Sequence, residues 1–373
     1  AANAWTAAVA ADPDALAAYQ GQAGIDAGVA FLAGITDDES TIPTAAQLDA
    51  ALAALIAGEP PAPVPGETFT LTDAVGENVV GTDADDTFSG VLSSVAGQST
   101  FNVGDMIDGM GGTDTFNLTV VGAASQALPA GSSVKNVEIV NLLSDGTATV
   151  RTNADFLVAA DGLGALNAGK FEGVEQLWQH AAFENVNGVG AGVTAGFAGG
   201  AAAVAAGVQF TSGEGNLAFN GVKDGSTVAV HGKSATVTLD ELNVSGSVAS
   251  PGAGAPGALN ITAGTNNAVE TLTLNLTSNA DLTGTNVGVG TLVTLDASGS
   301  TGGIQAAGGA PGVFLGTWFG TLEEATFGSG KDYVGITNLA EDLTVDLGAG
   351  ADNAFLGLVG GGTGTVSLTL GAG

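Results

Sequence analysis

The sequence predicts a mainly β protein: an elongated β-solenoid or β-roll-like array with a small N-terminal α-helical segment. The 373 residues include 61 glycines and are 45% hydrophobic but only 5% aromatic, which suits thin regular layers better than one large core. Short runs rich in Val, Leu, Thr and Phe alternate with Gly, Asn, Asp and Ser, a pattern typical of strands joined by turns.

The charge balance excludes several classes of function. Acidic residues outnumber Lys and Arg by 38 to 6, giving a net charge of -32. A nucleic-acid partner requires a basic stripe, and an anionic membrane surface would repel the chain. The mean hydropathy of +0.35 is too high for a disordered chain, so we expect bound cations to offset the repulsion. The absence of cysteine excludes disulfides, Cys-based zinc sites and thiol nucleophiles.

Residues 1–57 have the pattern of a helical segment. Thr44 and Gln47 have the spacing of a capping box, and apolar residues then recur at helical spacing until Gly58. We therefore predict an amphipathic helix over 45–57. Its apolar positions are Leu48, Leu52, Leu55 and Ile56.

Two further helix signals come earlier. Asp12 followed by Pro13 places an N-cap residue before a proline at the first helical position. A second helix is predicted around 27–33, where it presents Phe31 and Leu32. Together with the capped helix, these signals predict the end of a helical domain.

A proline-rich linker is predicted over 58–67, which contains four of the ten prolines. Beyond it, 68–373 is predicted to be one β-rich repetitive region. The clearest strand runs are 115–122, 137–144, 235–246, 269–278, 291–298, 343–350 and 365–373.

Several of these runs resemble one another, which predicts stacked repeats. A Val-Glu pair opens the runs at Val137, Val174 and Val269, and Leu322-Glu323 is a looser version. The run 343–350 recurs 23 residues later as 366–373. Because the chain stops inside a repeat, we expect the native protein to continue further.

A membrane span is not expected. The uncharged run 189–210 is long enough to cross a bilayer, but its bulk is Gly and Ala, which contribute little to insertion. We predict a buried, tightly packed run of strands and turns there.

Clusters of Gly and Asp indicate metal binding. The nonapeptide of calcium-binding β-rolls is G-G-x-G-x-D-x-U-x. Residues 109–116 fit it with Met in the second position, while 81–88, 328–334 and 348–352 fit partly. Calcium takes six to eight oxygen ligands, and glycines allow the turns that direct backbone carbonyls inward. The predicted calcium ligands are Asp83, Asp85, Asp86, Asp105, Asp108, Asp114, Asp332 and Asp352; ordinary solvated turns are the competing interpretation.

The chain resembles the calcium-binding, type I-secreted RTX-like proteins of Gram-negative bacteria, particularly the surface-layer proteins typified by that of Caulobacter. The likeness is strongest over 68–143, where FTLTDAVGENVVGTDADDTFSG precedes NVGDMIDGMGGTDTFNL and VKNVEIVNLL. Tyr19-Gln20 ahead of GIDAGVAFL is similar to the end of the family's helical anchoring domain. Residues 320–373 resemble a degenerate RTX block.

The resemblance implies a structural protein without enzymatic activity. It would be secreted to the bacterial cell surface, assemble with calcium into a lattice of its own copies, and anchor through its helical end to outer-membrane lipopolysaccharide. An adhesin or biofilm-matrix fibre would need the same chemistry.

An enzyme is the competitor from a different class, because parallel β-helices also carry polysaccharide lyases and epimerases. Those need a general base and a cationic group. The chain offers His180, His231 and a single arginine, Arg151. His180 lies in LWQHAAF beside Trp178, which favours a packed or edge histidine over a base.

Overall fold

The computed structural model describes most of the β-rich region and parts of the helical segment. The described residues are 2–12, 15, 16, 19, 28, 29, 43–57 and 65–371, except 123, 124, 147, 152–164, 253, 307, 309, 316–320, 338–341 and 358–363. Within them the protein is mainly β, with 47% of residues in strands and 9% in helices.

The helical segment contains α1 (Ala2–Ala11) and α2 (Ala45–Ala57). The predicted capping box is confirmed, because the Thr44 amide donates to Gln47 Oε1 at 2.8 Å and the Gln47 amide donates to Thr44 Oγ1 at 3.3 Å. The N-cap role of Asp12 is also confirmed, since its Oδ1 accepts from the Ala15 amide at 3.3 Å.

The helices form a hydrophobic cluster separate from the large β core. Trp5 and Val9 of α1 pack with Ala51 of α2, and Leu48 and Leu52 lie at the margin. The predicted apolar face was therefore partly wrong. Ile56 is 42% exposed and Ala51 takes the buried place, because α2 rests on α1 along the row containing Leu48, Ala51 and Leu52.

Three helical-segment predictions fall largely outside the described residues. Of the helix predicted around 27–33, only Gly28 and Val29 are described, both helical, and Phe31 and Leu32 are not. The side chain of Leu55 and most of the linker at 58–67 also lie outside them.

The first half of the β-rich region contains fifteen strands in the described residues. They are β1 (Thr68–Thr70), β2 (Asn78–Val80), β3 (Thr87–Ser93), β4 (Met106–Asp108), β5 (Thr115–Val121), β6 (Ser125–Ala127), β7 (Ser133–Lys135), β8 (Ile139–Ser144), β9 (Thr149–Arg151), β10 (Leu166–Asn167), β11 (Phe171–Glu172), β12 (Gln176–His180), β13 (Val186–Val189), β14 (Thr194–Ala198) and β15 (Ala205–Phe210). A 3₁₀ turn spans Ala168–Lys170.

The described residues of the second half contain fifteen more. They are β16 (Glu214–Val222), β17 (Ser226–Gly232), β18 (Leu239–Val248), β19 (Gly257–Ala263), β20 (Asn267–Leu276), β21 (Ala280–Asp281), β22 (Thr294–Asp296), β23 (Gln305–Ala306), β24 (Ala310–Pro311), β25 (Val313–Phe314), β26 (Glu324–Thr326), β27 (Tyr333–Thr337), β28 (Leu343–Asp346), β29 (Asn353–Gly357) and β30 (Val366–Thr369).

A long parallel sheet runs through the β-rich region. In the part of the chain that the structure describes, it has thirteen strands in the order β1-β3-β5-β8-β12-β14-β16-β18-β20-β22-β26-β28-β30. The intervening strands form smaller sheets, chiefly β10-β13-β15-β17-β19-β21, β11-β7-β4-β2 and β25-β27-β29. The chain thus leaves the large sheet and returns repeatedly, and each return adds one parallel strand beside the last.

The strand register confirms the predicted repeats. Ile139 pairs with Gln176, which aligns the two Val-Glu pairs at Val137 and Val174. Leu343 pairs with Val366, which matches the 23-residue repeat. All seven predicted strand runs contain strands of the large sheet.

The core lies between the large sheet and the smaller ones and forms one continuous cluster. In β3 and β5 buried and half-buried residues alternate along the whole strand, as expected when one face is covered. Phe69, Phe88 and Phe116 occupy one register column. Phe116 is fully buried, as predicted, and its ring meets Phe101 edge-on at 5.4 Å.

The apolar run 189–210 forms the end of β13 followed by β14 and β15, whose residues are mostly buried. This agrees with the predicted run of strands and turns. Among the described residues, no helix has the length and apolar character needed to cross a membrane.

Phe116→Ala is expected to destabilise the fold by about 3–5 kcal/mol, because the cavity it leaves is enclosed by other strands. The measurement is chemical unfolding followed by circular dichroism, with calcium and with chelator. Phe314→Ala is the matched control, since Phe314 is 37% exposed and should lose less. Equal losses would show that Phe116 is not a core residue.

Candidate metal-binding loops

Four short loops connect the small sheet of β2, β4, β7 and β11 to the large sheet. They span 81–86, 109–114, 136–138 and 173–175. Because the strands on both sides pair in parallel, equivalent loop positions lie one above another. All four loops end with an acidic residue that immediately precedes a strand of the large sheet: Asp86, Asp114, Glu138 and Glu175. The first three are here called the acidic ladder.

Each member of the acidic ladder accepts a hydrogen bond from the equivalent residue of the previous strand. The Glu67 amide donates to Asp86 Oδ1 at 2.6 Å, and the Asp86 amide donates to Asp114 Oδ1 at 2.7 Å. The Asp114 amide donates in turn to Glu138 Oε2 at 2.7 Å. The carboxylates therefore satisfy backbone amides where the chain enters the large sheet.

Glycines let these carboxylates approach the backbone closely. A Cβ on Gly81 would lie 2.5 Å from Asp86 Oδ2 and 2.6 Å from the carbonyl oxygen of Gly109. A Cβ on Gly109 would likewise collide with Asp114 Oδ2 and the Asn136 carbonyl. In both loops a carboxylate oxygen and a backbone carbonyl oxygen from the next loop pack together against the glycine, where any side chain would collide with them.

Asp114 is the electrostatically strained member of the ladder. It is fully buried, and its Oδ2 has no hydrogen-bond partner. Burial raises the pKa of Asp114 to about 7, with repulsion from Asp86 and Glu138 adding to the rise and the bond from the Asp86 amide opposing it. Neighbouring strands are only about 4.8 Å apart, so a cation beside Asp114 Oδ2 would relieve both the repulsion and the missing contact.

A second carboxylate pair repeats this arrangement near the end of the described chain. The Ile304 amide donates to Asp332 Oδ1 at 2.7 Å, and the Asp332 amide donates to Asp352 Oδ1 at 2.9 Å. The Oδ2 atoms of Asp332 and Asp352 are both buried without a partner. Burial raises the pKa of Asp332 to about 7, and the neighbouring Asp352 contributes to the rise.

Asp105 lies apart from the acidic ladder. It lies before β4, at the opposite end of that strand from Asp114, and is fully buried. Its Oδ1 accepts from the amides of Gly76 at 2.9 Å and Glu77 at 3.0 Å, and its Oδ2 accepts from the Asn102 amide at 2.5 Å. Both oxygens are thus used by the backbone.

The remaining predicted ligands lie nearer the solvent. Asp83 and Asp85 are exposed, and Asp85 Oδ1 accepts from the Thr113 amide at 2.7 Å. Asp108 is half-buried, and its Oδ1 accepts from Asn136 Nδ2 at 2.8 Å. These contacts tie one loop to the next.

The predicted calcium ligands lie in small sets among the described residues. Among the described residues no group of three or more His, Cys, Asp or Glu side chains is placed to hold a metal ion. The loops form two smaller sets of oxygen atoms. One set contains neighbouring ladder carboxylates and the Asn136 carbonyl beside Asp114, and the other contains the carboxylates of Asp332 and Asp352. Such sets fit a hard cation whose shell is completed by carbonyl oxygens and water.

Sequence reasoning missed Glu138 as part of this site. The recurring Val-Glu pair was a usable signal, because its Glu directly precedes a large-sheet strand at Glu138 and Glu175.

Comparison of the chain with protein-family models gave no match, and comparison with curated proteins gave none either.

Asp114→Asn is expected to raise the melting temperature at pH 7 in chelator. Asparagine keeps an acceptor for the Asp86 amide, removes a buried negative charge, and offers Nδ2 as a donor toward the Asn136 carbonyl. The measurement is thermal unfolding followed by circular dichroism. Asp83→Asn, an exposed change in a neighbouring loop, is the control and should leave the melting temperature unchanged.

The same variant tests the pH dependence. The native pKa of Asp114 is about 7, whereas an unfolded Asp titrates near about 4. The native state therefore binds more protons between these values, so this contribution to stability is full below about pH 4 and is lost as the pH rises toward 7. In chelator, the melting temperature of Asp114→Asn should fall less over this interval than that of the parent; parallel curves would contradict the assignment.

Proposed function

We propose that the β-rich region is a calcium-stabilised β-solenoid and that the protein is a structural component of an extracellular lattice on a bacterial cell surface. The observation that carries the proposal is the pair of buried carboxylate stacks, at Asp114 and at Asp332 with Asp352, whose Oδ2 atoms have no protein partner. In a chain of net charge -32, a cation bound at these oxygens would offset buried negative charge.

The sheet topology supports the solenoid. The chain alternates between the thirteen-stranded sheet and the smaller parallel sheets, so one coil is a large-sheet strand, a loop and a strand of a smaller sheet. Paired positions on successive large-sheet strands are separated by between 18 residues, from Gln176 to Thr194, and 37 residues, from Ile139 to Gln176. Stacked coils of this kind bury a continuous core only through contacts with their neighbours.

Calcium fits the oxygen sets better than magnesium does. Asp114 with the Asn136 carbonyl, and Asp332 with Asp352, would hold the ions. Calcium supplies positive charge and accepts irregular sets of oxygens, whereas magnesium demands near-ideal octahedral geometry. Metal that binds only the folded chain also stabilises it by mass action.

The described residues favour a structural role over the polysaccharide lyase alternative. His180 is half-buried against Asn141 and Trp178, and burial lowers its pKa. His231 is half-buried near the end of β17, where its Nδ1 accepts from the Thr265 amide at 2.9 Å. The side chain of Arg151 lies outside the described residues.

Millimolar calcium is expected to raise the melting temperature of the full chain and to produce ordered sheets in electron micrographs, while chelator disperses them. Magnesium should give a smaller melting shift. Asp332→Asn combined with Asp352→Asn should raise the calcium concentration needed for assembly, and Asp83→Asn should not. Unchanged melting and dispersed monomers in both conditions would contradict the proposal; calcium-dependent filaments would favour the fibre alternative over a lattice.

The anchoring role is tested separately. A chain starting at Thr68 is expected to keep the calcium-dependent melting shift, because the carboxylate stacks lie beyond that residue. It should lose attachment to cells and to lipopolysaccharide vesicles, since the helices with their own cluster around Trp5 are absent. Full attachment of the shortened protein would show that the helical segment is not the anchor.

A further inference from the structure

The solvent-facing side of the large sheet contains an uncharged area at β5, β8, β12 and β14. In β5, β8 and β12 half-buried residues alternate with core residues, and in β14 every residue after Thr194 is buried. Their outward positions carry no Asp, Glu, Lys or Arg, although the chain has 38 acidic residues. Such an uncharged area is compatible with a neutral ligand. An anionic ligand would find no cationic side chain there to bind.

In this area the indole ring of Trp178 packs against the backbone of a glycine. Its register partner on the next strand is Gly196. A Cβ on Gly196 would collide with the six-membered ring of the indole, lying 2.8 Å from Cε2. The indole therefore rests over the Gly196 backbone, and its Nε1 donates to Gln176 Oε1 at 3.0 Å. Because Trp178 is only partly buried, part of the held ring remains open to solvent.

A row of polar side chains lies beside the ring. Asn141 Nδ2 donates to Asn117 Oδ1 at 2.9 Å, and His180 Nε2 lies 3.3 Å from Asn141 Oδ1. The His180 ring is 6.4 Å from that of Trp178, and burial lowers the pKa of His180, which keeps the imidazole neutral at pH 7. Amides and a neutral imidazole each offer both donors and acceptors.

We propose that Trp178, Asn141, Asn117 and His180 form a binding site for a neutral glycan. A pyranose ring has an apolar face of C–H groups that packs on an aromatic ring, and hydroxyl groups around its edge that pair with amides and imidazole. The indole ring would pack on the apolar face of the sugar, and the adjacent polar row would pair with its hydroxyl groups. The site is independent of the carboxylate stacks and goes beyond the structural role proposed above.

The test uses the full chain on an array of neutral and acidic oligosaccharides, followed by titration of the strongest neutral ligand while tryptophan fluorescence is recorded. The parent is expected to bind neutral glycans and to change its fluorescence on binding. Trp178→Ala should weaken binding at least tenfold, and Trp178→Phe should retain part of the affinity because it keeps an aromatic ring. Circular dichroism and melting temperature report whether each variant is folded.

Two further variants separate binding from folding. Gly196→Ala should weaken binding by displacing the indole while every ligand-binding group remains. Asn141→Ala should also weaken binding, whereas Asn243→Ala should not, because Asn243 forms the same kind of ladder with Asn216, at 3.0 Å, without an aromatic partner.

Three results would overturn the proposal. The first is a parent that binds no neutral oligosaccharide on the array. The second is a Trp178→Ala variant whose titration superimposes on that of the parent. The third is a Trp178→Ala variant that loses assembly but keeps its glycan affinity, which would assign the area to contacts between copies of the chain.

Discussion

The β-rich region depends on one repeated contact: a carboxylate at the start of a strand accepts the backbone amide of the equivalent residue one strand earlier. A buried amide left unpaired would cost about 1–3 kcal/mol, so every entry into the large sheet needs an acceptor. Asp86 and Asp114 supply it in the first loops, and Asp332 and Asp352 make the same kind of contact where the chain enters β27 and β29 of a smaller sheet. The contact fixes which loop stacks on which, and hence the register of the strands that follow.

These contacts place negatively charged carboxylates close together, which causes electrostatic repulsion within the fold. Carboxylates that accept from amides on successive strands must lie one strand apart. Asp114 and Asp332 each use only one carboxylate oxygen for this backbone hydrogen bond. The second oxygen is buried without a partner, and the pKa of each of these groups rises to about 7. Six Lys and Arg residues cannot neutralise 38 acids. Bound calcium would relieve the stack while leaving its hydrogen bonds intact, and glycines such as Gly109 allow carboxylate and carbonyl oxygens to lie close together.

The large sheet was largely predictable from the sequence, whereas the partners of its loops were not. Strands such as β5 and β20 are long enough for alternation to show. Strands of three residues, such as β2 and β4, are too short for it. The Asp clusters were visible, but Asp85, Asp86, Asp105 and Asp114 each accept from a backbone amide 19 to 29 residues away. Only the strand register determines these pairings. The packing of Trp178 against Gly196 also depends on the strand register, so neither residue alone predicts it.

The most direct test is backbone hydrogen exchange, followed by mass spectrometry, of the peptides that contain the amides of Asp86 and Asp332, with calcium and with chelator at pH 7. Both amides donate to carboxylates of the stacks. If cations hold the stacks together, calcium should slow exchange in both peptides and leave the helical peptide around Ala51 unchanged. Equal exchange with calcium and with chelator in both β peptides would contradict the account.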